Sequence, residues 1–256
     1  MLMKEAIILD FFLFLLWLSW KLKNSRCLEC HKKQRSSGLC SVCIKRYQSN
    51  VADHKLAKGW LVSAKNTQVS VFIAVPWSQK IRKKWYRYKF LKAYADTGVF
   101  VSLLAFTTLS YIVQNHPTPV SAKRIMLTHP PAKPSKAYPW GRVVQRLAAQ
   151  QGWRYEPNLL AWREDLLLLT DQKMARSKQA RQQQRRGAFS ATTNPRMLQK
   201  FKENPPELIL LMDDILTTGA TLQGCLDALE ALLTQLPAGS NLPKIQPVVL
   251  TEVPLQ

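Results

Sequence analysis

Residues 208–222 read LILLMDDILTTGATL. Leu208–Met212 is an unbroken apolar run, which suits a strand covered on both faces, as in a parallel sheet. The strand is expected to end at Asp213-Asp214, so that two carboxylates emerge at the carboxyl edge of the sheet, where α/β proteins bind ligands. Beyond it, Thr217-Thr218-Gly219-Ala220-Thr221 opens a helix. Its apolar positions are Leu222, Cys225, Leu226, Leu229, Leu232, Leu233 and Leu236, spaced by threes and fours and stopped by Pro237. A glycine in such a turn lets backbone N–H groups converge, and a helix N-terminus adds roughly half a positive charge. Small hydroxyl side chains complete an anion cradle of phosphate size. Two carboxylates beside that cradle suit the vicinal hydroxyls of a ribose, or a magnesium ion. Helix capping alone would account for one Asp and one Thr but not for the whole set.

Working outward, Ile245–Thr251 reads as a closing strand and Ala238–Pro243 as the turn before it. Upstream, Val69–Pro76 has the composition of a strand, and residues 95–115 that of an apolar helix with Leu103, Leu104, Phe106, Leu109 and Ile112 towards the core. Lys123–Thr128 is a short strand ending in His129-Pro130-Pro131, followed by a loop to Pro139 whose prolines exclude a continuous helix. Gly141–Gly152 reads as a short helix, and Asn158–Trp162 as the start of a strand. Lys173–Lys202 carries nine basic side chains and no acidic one, and reads as a mobile loop flanked by helical turns. The alternation of strand, loop and helix is βαβ-like.

The chain's 256 residues, 46% of them hydrophobic, suffice for one sizeable α/β domain plus a small accessory module, and argue against wholesale disorder. A balance of 37 Lys+Arg against 16 Asp+Glu gives a formal charge of +21, which favours a polyanionic partner: nucleic acid, a phosphorylated substrate or an anionic membrane surface.

Four of the five cysteines form Cys27-x2-Cys30-x9-Cys40-x2-Cys43. Two CxxC knuckles in a chain otherwise poor in cysteine point to metal, not to a secreted disulfide framework, and to a reducing compartment. Four thiolates close a tetrahedral zinc shell with no open position, so the zinc would be structural. Arg26, Lys32, Lys33 and Arg35 favour the thiolate forms, while His31 is surplus to the shell. The alternative is a redox dithiol pair, which needs an α/β context that this basic stretch lacks. Ahead of it, residues 6–20 (AIILDFFLFLLWLSW) are apolar apart from Asp10 and are followed by Lys21, Lys23 and Arg26. A full span needs roughly 20 apolar residues, and a secretory signal places its positive charge first. Three readings stay open: a helix docked on the domain, a helix in a membrane interface, or a short span. The expected location is the cytoplasm, peripheral to the membrane if residues 6–20 touch it.

The Asp213-Asp214 segment, with two aliphatics and then Thr-Thr-Gly-Ala-Thr, resembles the phosphoribosyl diphosphate (PRPP) signature of type I phosphoribosyltransferases. The resemblance implies that Asp213 and Asp214 hold the ribose hydroxyls, that Thr217, Thr218, Gly219, Ala220 and Thr221 hold the 5′-phosphate, and that magnesium accompanies the diphosphate. Three further features are similar to the ComF branch, the competence-protein ComFC-like proteins associated with DNA uptake in natural transformation. They are the four-Cys module, His129-Pro130 at the end of a strand, and Arg186-Gly187-Ala188-Phe189 after a basic run. This implies a type I phosphoribosyltransferase-like parallel sheet with flanking helices over residues 51–256. A zinc module at 23–50 and an apolar helix at 1–22 would precede it. It also places His129 near the diphosphate, gives Arg181, Arg185 and Arg186 the task of covering it, and names transformation proteins as partners. The chain departs from that branch where Arg-Gly-Phe-Asn-Gln usually follows the His-Pro turn. Here the stretch is Lys136-Ala137-Tyr138-Pro139-Trp140, and Gln182, Gln183 and Gln184 dilute the arginine-rich loop. Ligand binding follows from these residues more directly than turnover.

Lys80–Lys92 (KIRKKWYRYKFLK) interleaves seven basic residues with Trp85, Tyr86, Tyr88 and Phe90, a composition found in single-strand binders. The same pattern also fits an ordinary helix with aromatic residues in the core and a solvated charged face. A zinc-stabilised adaptor for single-stranded DNA, without catalysis, is therefore the rival to a PRPP-binding protein.

Overall fold

The computed structural model describes residues 41–42, 45, 57–62, 68–76, 82–83, 85–86, 105, 108–132, 140–163, 187–192, 194–236 and 241–253. The apolar segment 6–20, the cysteines Cys27, Cys30, Cys40 and Cys43, and Arg181, Arg185 and Arg186 lie outside the described residues.

Among the described residues, eight strands and three helices of eight or more residues stand out. In chain order they are β1 (Ala57–Val62), β2 (Gln68–Pro76), β3 (Ile125–Thr128), α1 (Trp140–Gln151), β4 (Arg154–Tyr155), β5 (Leu160–Trp162), β6 (Phe189–Ala191), α2 (Pro195–Glu203), β7 (Leu208–Leu216), α3 (Ala220–Leu233) and β8 (Lys244–Glu252). Residues 108–114 are also helical. Six strands form one sheet in the order β1-β2-β8-β7-β3-β4. β2, β8, β7, β3 and β4 are parallel throughout, and β1 adds an antiparallel edge against β2. The parallel core agrees with the sequence reading and is compatible with a type I phosphoribosyltransferase-like fold. β1 is the addition, in a stretch with no clean alternation to announce it.

Both central crossovers are βαβ units. β3 passes through α1 to β4 on one side, and β7 passes through α3 to β8 on the other. Because such crossovers are right-handed, opposite directions of travel put the two helices on opposite faces. The period-2 alternation of the strands bears this out. Ile125, Leu127, Leu208, Leu210, Met212, Val248 and Leu250 pack with Val143, Val144, Leu147 and Ala148 of α1. Met126, Ile209, Leu211 and Val249 pack with Leu222, Cys225, Leu226, Leu229 and Leu232 of α3. Leu208–Leu211 are all fully buried, which is why their run is continuous rather than alternating. Each such leucine contributes roughly 1.5–3 kcal/mol relative to an exposed one. Leu109 and Ile112, expected in the core, are there; Leu103, Leu104 and Phe106 fall outside the described residues.

β5 and β6 form a separate antiparallel pair, with Leu160 opposite Ala191 and Trp162 opposite Phe189. It packs over α3 through Leu160 and Phe189. The sequence reads Lys173–Lys202 as a mobile loop flanked by helical turns. At its C-terminal flank Pro195–Glu203 is a capped helix, while Phe189–Ala191 is a strand that reading lacks. Asn194 Oδ1 accepts from the N–H groups of Arg196 (3.1 Å) and Met197 (3.4 Å), Pro195 pre-sets the first turn, and Phe201 anchors the helix in the core. One buried residue in nine leaves little periodic signal to read.

Candidate functional site: the crevice between β3 and β7

The order of travel reverses between β3 and β7, which makes the carboxyl ends of these strands the topological switch point of the sheet. Their ladder ends at Thr128 opposite Leu211. β7 nevertheless continues to Leu216, paired only with β8, where Asp213 stands opposite Val249 and Leu216 opposite Glu252. The strand therefore does not stop at Asp213-Asp214 as the sequence implied. Both aspartates lie on a half-paired extension, with β8 on one side and the crevice on the other.

Asp213 shares its register position with Val249, on the α3 side. Its charge reaches the Cys225 thiol, which burial and then the Asp213 carboxylate push well above the usual thiol range. Asp214 is buried, at 5% exposure. Each carboxylate accepts a backbone bond that fixes it. Asp213 Oδ1 accepts from Asp214 N–H at 2.8 Å, and Asp214 Oδ1 from Ile215 N–H at 2.6 Å.

The phosphate-sized loop follows. Gly219 caps α3 with φ 74° and ψ −7°, the left-handed region, and a Cβ there would sit 2.8 Å from Leu61 Cδ2. The helical ladder begins at Gln223 N–H, which donates to Gly219 C=O at 2.8 Å. The first N–H groups of α3 therefore have no acceptor within the helix. Ala220 N–H is met by Thr218 Oγ1 at 3.4 Å. No acidic side chain occupies the first turn, so the positive end of the helix is not neutralised from within. Thr217 and Thr218 are exposed and Thr221 is half-buried. Asp213, Asp214, Thr217, Thr218, Gly219, Ala220 and Thr221 thus follow one another from the end of β7 into the first turn of α3.

Across the crevice, His129 follows directly on β3 and is 8% exposed. Its Nδ1 lies 2.8 Å from the Pro130 carbonyl, which can only accept, so Nδ1 carries the proton. Burial lowers the His129 pKa below the usual histidine range, partly offset by that carbonyl, and the ring is neutral near pH 7. Nε2 lies 2.9 Å from the Tyr155 hydroxyl, which donates to Gly141 C=O at 3.0 Å. The two rings stack with centroids 6.0 Å apart. Gly141 is required here, because a Cβ would come 2.9 Å from His129 Nε2 and 3.2 Å from Tyr155 Oη. Burial pushes the Tyr155 pKa to about 12. Both His129 nitrogens are thus engaged within the protein, so the residue shapes the turn after β3.

Trp140, the last residue of the stretch that departs from the ComF pattern, begins α1. Its Nε1–H donates to Met212 C=O at 3.1 Å, one residue past the last β3–β7 pair. Trp162 at the end of β5 donates to Pro131 C=O at 3.0 Å and packs on Phe189 with centroids 4.5 Å apart. No local pattern marks Gly141, Tyr155, Trp140 or Trp162 as site residues, since each serves a carbonyl or ring distant in the chain. Of the basic–aromatic stretch, Trp85 is buried edge-on against Trp140 at 6.3 Å, whereas Arg82, Lys83 and Tyr86 are exposed. Trp85 is thereby withdrawn from any base-stacking surface.

No cluster of three or more His, Cys, Asp or Glu able to hold a metal occurs among the described residues, and no helix among them is long and apolar enough to cross a membrane. No protein-family model matches this chain, and no curated protein matches it either.

Proposed function

We propose that the protein binds PRPP, or a closely similar ribose phosphate, at the β3–β7 switch point, as a ComF-like phosphoribosyltransferase-type protein linked to DNA uptake. One observation carries this reading. Two fixed carboxylates on a half-paired strand extension lie directly before a glycine-turned helix N-terminus with hydroxyls around it. The carboxylates accept the ribose hydroxyls, and the amides and hydroxyls of Thr217–Thr221 hold the 5′-phosphate. The C1 substituent then falls towards the turn after β3.

Magnesium accompanies the diphosphate in this reading, and hard carboxylate oxygens suit it; bound with PRPP, it would neutralise diphosphate charge. If transfer occurs, the bond from C1 to the diphosphate oxygen breaks, its electron pair leaving with the diphosphate, and an acceptor's electron pair forms the new bond to C1. Asp213 and Asp214 orient the ribose, and Arg181, Arg185 and Arg186 cover the leaving group. The Cys27, Cys30, Cys40 and Cys43 set belongs to the same proposal as a closed structural zinc site.

Isothermal titration with PRPP and magnesium tests the reading. Binding heat is expected for the wild type and none for the Asp213→Ala, Asp214→Ala double variant. A wild type that takes up no PRPP would sink it. The rival, a non-catalytic single-stranded DNA adaptor, keeps support from the exposed Arg82, Lys83 and Tyr86 and from the charge of +21.

A further inference from the structure

The carboxyl edge of a parallel sheet is an awkward place for an anion. Strand ends present carbonyl oxygens there, and this crevice already holds Asp213 and Asp214. Three carbonyls around it are each met by the N–H of an aromatic ring. Trp140 Nε1–H covers Met212 C=O at 3.1 Å, His129 Nδ1–H covers Pro130 C=O at 2.8 Å, and Trp162 Nε1–H covers Pro131 C=O at 3.0 Å. The His129 ring is in turn held by a fourth, since its Nε2 lies 2.9 Å from the Tyr155 hydroxyl, which itself covers Gly141 C=O at 3.0 Å. These donors come from α1, from β5, from β4 and from the turn itself, so separate elements converge on one rim. Pro130 and Pro131 have no N–H of their own to set against their carbonyls.

We propose that Trp140, His129, Trp162 and Tyr155 form a collar of positioning residues that covers the carbonyl oxygens on the β3 side of the crevice and so lets a ribose phosphate carry an anionic group at C1. This rests on the reading of the site as a ribose-phosphate site. The collar does not hold the ligand; it removes repulsion that the ligand's diphosphate would otherwise meet. Its effect therefore scales with the charge at C1 and leaves the 5′-phosphate end, across the aspartates at α3, untouched.

The test compares two probes, ribose 5-phosphate and PRPP with magnesium, by calorimetric titration of the full chain. The variants Trp162→Phe and Tyr155→Phe each keep a ring and remove one donor. Losing one such hydrogen bond beside an anion corresponds to roughly a tenfold loss of affinity. The PRPP Kd is expected to rise about tenfold in each variant, while the ribose 5-phosphate Kd stays within about twofold. The Tyr155→Phe variant should also shift the His129 Nε2 resonance in imidazole nitrogen NMR, a local signature that general loosening does not produce. Equal losses for both probes, or unchanged PRPP binding, overturn the collar while the site reading survives. A wild type that binds neither probe overturns the site reading, and the collar with it. If Trp162→Phe does not fold, Tyr155→Phe decides the matter alone.

Discussion

A Cβ on residue 219 would stand 2.8 Å from Leu61 Cδ2 and 3.6 Å from Leu216 Cδ1, on a backbone with φ 74°. Gly219 is thus demanded twice, by its left-handed conformation and by contact with β1, and Gly219→Ala should cost roughly 1–3 kcal/mol. Urea unfolding would show this as a lower midpoint with an unchanged slope; an unshifted midpoint would mean that the loop relaxes freely. The need for a glycine was readable in Thr-Thr-Gly-Ala-Thr, but the contact with Leu61 was not, since it joins residues far apart in the chain. The same limit hid the His129–Tyr155 pair, whose burial has a consequence for stability against pH. The folded His129 pKa is lowered, so on acidification the unfolded chain takes up its proton first, and stability falls as pH drops through about 6.5. Tyr155 is raised to about 12, so on alkalinisation the unfolded chain loses its proton first, and stability falls as pH rises above about 10. Denaturant midpoints in a pH series should decline at both ends. In Tyr155→Phe the alkaline decline should shrink, and its persistence unchanged would assign it to other groups.

Elements were legible in proportion to how much of their own surface decides them. β7, α3, β8 and β2 could be read because each buries a full face or two. The apolar spacing of α3 and the continuous run of β7 are direct imprints of contacts with the two core layers. β4 could not be read, because it is two residues long and exists only as a partner for Met126 and Leu127. α2 was obscured by basic residues on its solvent face, although its cap Asn194 and Pro195 follow ordinary start rules. The extent of β7 was misjudged for a physical reason. Apolar character ends at Met212, but pairing with β8 continues to Leu216, because a half-exposed strand can carry aspartates on its open side. That extension holds the two carboxylates on a rigid strand instead of a loop, which suits a site that must keep its geometry. The residue content of the site could therefore be read locally, while its rim, contributed by α1, β4 and β5, could not.

At the scale of the whole molecule, a chain with a formal charge of +21 carries two carboxylates at its switch-point crevice. The two features predict different responses to salt, and the difference separates the two functional readings. Nucleic acid held by surface lysines and arginines is held through released counterions, so its affinity falls linearly on a log–log scale. A protein touching six to ten phosphates would lose about 10³–10⁵ in affinity between 50 and 200 mM salt. A ribose phosphate held in the crevice is gripped by fixed amides, hydroxyls and carboxylates, which are partly shielded from mobile ions. Its affinity should change by less than about tenfold over the same range. Gel shifts with single-stranded DNA and titrations with PRPP and magnesium, run in the same salt series, provide the two slopes. A steep slope for DNA beside a shallow one for PRPP is expected if the basic surface and the crevice act as separate sites. Parallel steep slopes would mean that PRPP is merely attracted to the basic surface, and the Asp213-Asp214 corner would lose its claim as a built site. A further arm uses the Asp213→Ala, Asp214→Ala variant, which should lose PRPP while keeping the DNA slope, because removing two negative charges cannot weaken a surface that works by positive charge.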